Sequence, residues 1–126
     1  RYRVGSADDP RGKEGLANLT AALMARGAAG GRSYQQILAE CFEMAARVEQ
    51  QTDKELTIFF ASAHRDHNSR FASLFSSALD QPAFLAEDFT RVRDEQLNFL
   101  QSELRGNNDE ELAKEILYTR LYSGHP

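Results

Sequence analysis

Apolar positions along the chain change period several times, and each change marks an element. Tyr2 and Val4 alternate with Arg1 and Arg3, which predicts a half-buried strand ahead of turn residues Ser6–Gly12 around Pro10. From Lys13 to Arg26, Leu16, Leu19, Leu23 and Met24 recur at helical spacing until Gly27, Gly30 and Gly31 close the segment. Ser33 with Gln36 forms a capping-box pattern. Tyr34, Ile37, Leu38, Cys41 and Ala45 then mark one face of a second helix that runs to about Ala46. Beyond it, Val48 and a polar stretch lead through Thr52-Asp53-Lys54 into Glu55–Ala63, rich in β-branched and aromatic residues. Together these predict an antiparallel hairpin.

Helical spacing returns after Asp66, a natural N-cap, with Phe71, Leu74, Phe75, Ala78 and Leu79, and Pro82 enforces a break. Glu87 to Leu104 predicts one long helix with Phe89, Val92, Phe99 and Leu100 inward and its charges on a solvated face. Gly106-Asn107-Asn108-Asp109 separates it from a last helix carrying Leu112, Ile116, Leu117 and Leu121. Glu110-Glu111 at that helix start complement its macrodipole. The order is strand, two helices, two strands and three helices. It predicts an α+β fold, because a hairpin favours antiparallel pairing and amphipathic helices need a sheet face to cover. Strict strand-helix alternation is missing, which disfavours a doubly wound nucleotide-binding fold.

With 126 residues, 41% hydrophobic and 27% charged, the chain fits one globular domain or a piece of one. A net charge of −4 argues against a general nucleic-acid-binding role, and no apolar run approaches the roughly 20 residues of a membrane-crossing helix. Cys41 is the single cysteine. It excludes an internal disulfide, leaves the compartment open and reads as a buried, inert thiol. The opening inside a strand and the turn-like Ser123-Gly124-His125-Pro126 suggest a partial domain, truncated at both ends.

Signals for chemistry are sparse. The glycines after Arg26 lack the Gly-Lys-Ser/Thr ending of a phosphate loop, and no Gly-x-Ser-x-Gly occurs. His64 and His67, three apart, could reach one metal on a helix, but no nearby Cys or second motif completes a ligand set. His125, close to the chain end, adds nothing to that set.

The stretch Gly15-Leu16-Ala17-Asn18-Leu19-Thr20-Ala21-Ala22-Leu23-Met24 resembles the Gly-Leu-Ala-His-x-x-Glu-His-x-Met frame of the insulinase, pitrilysin and mitochondrial processing peptidase family. Val4–Pro10 before it is similar to that family's first strand and loop. Gln81-Pro82-Ala83-Phe84 with Glu87-Asp88-Phe89 and Arg91-Val92-Arg93 resembles its Pro-x-Phe segment and long helix. Tyr122–Pro126 resembles its Tyr-x-x-His-Pro segment. The resemblance implies an antiparallel sheet with helices packed on one face, in related domains that enclose a peptide chamber.

It also places Asn18, Ala21 and Ala22 where the family carries its His, Glu and His, and Glu103 where it carries the third zinc ligand. An alanine has no donor atom and an asparagine amide is a poor zinc ligand. No carboxylate stands at Ala21 to take a proton from water. Glu103 alone is no zinc site, and the favoured reading is an exposed helix charge. The expectation is a non-catalytic peptidase-like domain, without zinc or other cofactor of its own, that contacts peptide and pairs with a zinc-bearing domain or subunit of the family. A stand-alone scaffold domain and an active zinc endopeptidase using His64 and His67 are the alternatives.

Overall fold

A computed structural model of the chain describes residues 1–123, and of Glu103 and Leu104 the backbone alone. The motif residues Gly124, His125 and Pro126 lie outside the described residues. The elements are α1 (Leu16–Arg26), α2 (Tyr34–Glu43), β1 (Arg47–Thr52), β2 (Thr57–Ser62), α3 (Asn68–Asp80) and α4 (Ala86–Asn98). A π-helical segment (Phe99–Leu104), the single turn α5 (Arg105–Asn107) and α6 (Asp109–Leu121) complete the order. The chain divides into two compact units, Arg1–Val92 and the residues from Arg93 onward.

In the first unit β1 and β2 pair antiparallel from Arg47↔Ser62 to Thr52↔Thr57. Strand side chains alternate between faces. Val48, Gln50 and Thr52 therefore share one face with Thr57, Phe59 and Ala61, and α1 packs on that face. The main core lies between α2 and α3: Ile37, Cys41, Met44, Phe71, Leu74 and Ala78 are buried together, with Val48 and Ala63 of the hairpin region against them. Phe71 and Phe75 stack at 6.1 Å within it. The fold is α+β, with an antiparallel hairpin and helices laid on it.

The predicted first strand reduces to one bridge, Tyr2↔Thr57. The chain leaves the sheet because Ser6 and Ala7 donate instead to Asp53 O and Lys54 O, at 2.9 and 2.8 Å. This brings Gly5 so close to the hairpin turn that a Cβ there would stand 2.3 Å from Asp53 O. Gly30 and Gly31, with φ of 56° and 76°, form a tight turn closed by paired Ala29–Arg32 hydrogen bonds. That turn is pinned to the stretch before α4 by Gly30 N–H to Gln81 O and Ala83 N–H to Ala28 O.

The second helix stops at Glu43, three residues short of expectation. Ala46 N–H reaches Cys41 O and Ala45 N–H reaches Phe42 O, the paired bonds of a Schellman ending, with Ala45 at a left-handed φ of 46°. Glycine usually marks that position, so the sequence hid the stop. Leu38 and Ala45, expected on the inward face, are exposed. Asp66 does not cap α3. It lies in a 3-10 turn, Arg65–His67, where its N–H is directed to His64 Nδ1 at 3.4 Å.

The long helix from Glu87 to Leu104 is α-helical only to Asn98 and π-helical after it. A π segment changes the phase of an apolar stripe. Of the four residues expected inward, Val92 alone is buried, while Phe89, Phe99 and Leu100 are 40%, 58% and 46% exposed. In the second unit Phe99 and Leu100 line a hollow with Leu97 and Leu112. There α6 starts as expected: Asn108 Oδ1 accepts Glu111 N–H at 3.1 Å, and Asp109, Glu110 and Glu111 occupy the first turn.

Replacing Ala45 by glycine removes the Cβ strain of the left-handed position. Ala45→Gly is expected to stabilise the chain by about 0.5–1 kcal/mol, net of unfolded-state entropy, in urea unfolding. A loss of stability would contradict the helix ending described.

Candidate functional site

The candidate site is α1, held at both ends. Gly15 enters it at φ 93°, and the Asp9 carboxylate accepts from Gly15 N–H at 2.7 Å and Ala17 N–H at 2.8 Å. An anionic acceptor at a helix N-terminus satisfies free donors and complements the dipole. At the other end Asp88 of α4, 5% exposed, accepts Ala28 N–H at 2.8 Å through Oδ2 and the Arg91 guanidinium at 2.8 Å through Oδ1. Arg91 also donates to Arg26 O at the last turn of α1, and its guanidinium lies 4.1 Å over the Tyr34 ring. The charges of α4 were expected on a solvated face, and these two are the exception. Acidic residues in a first turn ordinarily complement the dipole, so spacing gave no sign that Asp88 turns inward.

The three positions singled out on α1 have three different surroundings. Asn18 is exposed, and its Oδ1 accepts from Gln50 Nε2 of β1 at 3.3 Å. Ala21 is buried and lines a cavity of about 320 Å³ whose walls include Ala17, Thr20, Met24, Tyr2, Val4 and Phe59. Ala22 is 0% exposed and packs in one cluster with Leu19, Leu23 and Val92. The alanines are among the most buried residues of α1, deeper than the exposed Leu16.

Among the described residues the remaining candidates do not assemble a centre. The rings of His64 and His67 are 6.2 Å apart at the surface. Among the described residues no three His, Cys, Asp or Glu side chains are grouped as a metal would require. The side chain of Glu103 lies outside the described residues. Cys41 is a free, buried thiol, and burial, followed by the charge of Glu40, pushes its pKa above the ordinary thiol value. That environment disfavours the reactive thiolate. No helix among the described residues is long and apolar enough to cross a membrane.

These features define an α+β domain in which one helix is clasped between a β-hairpin and a following helix. The family model described as Insulinase (Peptidase family M16) matches residues 3–126, and the chain belongs to that family. No curated protein matches the chain. A zinc ion of the kind the family implies does not fit Asn18, Ala21 and Ala22 of α1. Ala21 and Ala22 offer no donor atom, and the Asn18 amide is engaged with Gln50.

The clasp at the end of α1 gives a direct expectation. Asp88→Ala leaves the Arg91 guanidinium and Ala28 N–H without their acceptor, and is expected to cost about 3 kcal/mol in chemical unfolding. Asp88→Asn, which keeps one oxygen acceptor, should lose less. Equal stability of Asp88→Ala and the parent would refute the clasp.

Proposed function

We propose that this chain is a catalytically silent peptidase-like domain that forms part of a peptide-enclosing chamber and works beside a zinc-bearing domain or subunit of the same family. The observation that carries the reading is the set Asn18, Ala21 and Ala22 on α1, which supplies neither zinc ligands nor a carboxylate to activate water. Zinc chemistry then belongs to the partner.

Contact with peptide has its own support. Thr57 spends its N–H and C=O on Tyr2, so Thr52↔Thr57 is a pair without direct ladder bonds. By alternation the backbone groups of Val48, Gln50 and Thr52 point away from β2. The described sheet has two strands, so β1 presents these groups as an open edge. An extended peptide can add to such an edge through main-chain hydrogen bonds, whatever its sequence.

The test uses the purified chain, alone and with a family partner carrying intact His-x-x-Glu-His. Alone, it should bind no stoichiometric zinc and cleave no peptide. Stoichiometric zinc and chelator-sensitive cleavage by the single chain would overturn the reading. Extended peptides should bind by calorimetry, and Gln50→Pro, which removes an outward N–H, should weaken them about tenfold. Gln50→Ala, which removes only the side chain, should not. Absence of peptide binding, and of any effect of the chain on the partner's cleavage rate, would favour the scaffold alternative.

A further inference from the structure

The family's zinc and this helix disagree in two different ways, and the difference lies in packing rather than in residue type. At Asn18 the side chain stands at the surface, so a larger ligand there has room. Ala21 is buried but lines a cavity of about 320 Å³, which leaves space beside it for a larger side chain. Ala22 and Val92 are both 0% exposed and lie in one apolar cluster with Leu23 and Leu19. The contact joins α1 to α4, whose position is fixed nearby by Asp88 and Arg91 on Ala28 and Arg26.

We infer that position 22 is closed by packing: Val92 and its neighbours occupy the space a metal-binding side chain at 22 would need, so zinc cannot be restored to α1 by replacing side chains there alone. This rests on reading the domain as catalytically silent, and adds that the silence is built into the α1–α4 contact. An imidazole at position 22 must displace a fully buried valine or push the helices apart. Overpacking of that kind destabilises a close-packed core. Its ring nitrogens would also enter apolar surroundings without partners. Neither cost applies at position 18, and the cavity relieves the steric one at position 21.

Thermal unfolding and zinc titration of the 126-residue chain test this. Ala22→His should lower Tm by about 5–15 °C, whereas Asn18→His and Ala21→Leu should stay within about 2 °C of the parent or rise. The triple variant Asn18→His, Ala21→Glu, Ala22→His should bind no stoichiometric zinc. Adding Val92→Ala to Ala22→His should recover a large part of the lost Tm. If Ala22→His does not fold, the graded series Ala22→Ser and Ala22→Val should still show Tm falling with side-chain volume. The inference is overturned if Ala22→His leaves Tm unchanged, if Val92→Ala gives no recovery, or if the triple variant takes up one zinc per chain. Zinc uptake by the parent chain would instead sink the silent reading, leaving the Tm comparison to judge the packing on its own.

Discussion

The first unit depends on one buried carboxylate. Asp88 receives Ala28 N–H and the Arg91 guanidinium, while Arg91 reaches Arg26 O and lies over Tyr34. Four pieces of chain meet at this point: the end of α1, the loop after it, the start of α2 and the first turns of α4. A buried charge is tolerable only when paired and fully hydrogen-bonded, and any other placement of α4 would strand it. The pair therefore acts more through register than through net stability. With that register set, Val92, one residue beyond Arg91, joins the buried cluster of Ala22 and Leu23.

The small residues of α1 take their meaning from this clasp. Ala22 is buried in one cluster with Val92 of α4, and Ala21 lines the cavity that Tyr2, Val4 and Phe59 also border. Positions that could be read as an emptied polar face are thus interior positions, and the polar surface of α1 is carried by Asn18 toward Gln50. The helix keeps its capped start at Asp9 and its clasped end at Asp88, both indifferent to whether a metal is held between them. Scaffold and chemistry are separable here because they use different atoms: backbone amides and a buried carboxylate for the scaffold, side chains at 18, 21 and 22 for chemistry.

What could be read from the sequence follows the range of the interactions involved. The hairpin, the Ser33–Gln36 box and the break at Pro82 are local, and each has the form its residues predicted. Family membership was legible too, because the motifs stand in the family's order along the chain. The end of α2 was hidden because an alanine takes the left-handed position glycine normally marks. The fate of Phe89, Phe99 and Leu100 was hidden because periodicity identifies a stripe but not what covers it. The Asp88–Arg91 clasp was hidden for a stricter reason: the groups it holds, Ala28 N–H for Asp88 and Arg26 O for Arg91, are about sixty residues away, and backbone groups leave no trace in a side-chain pattern.

On the proposed reading, peptide contact without catalysis has a physical basis in the division between main chain and side chain. Zinc hydrolysis needs three or four particular side chains in fixed geometry, so a single alanine abolishes it. An open strand edge needs only backbone groups in extended conformation, and every residue but proline supplies both. The edge of β1 is kept in place by its ladder to β2 and by α1 packed on the sheet. On this reading a domain of such construction needs no ligands of its own to offer that edge. The cluster of Ala22, Leu23 and Val92 then has a structural role, tying α1 to α4.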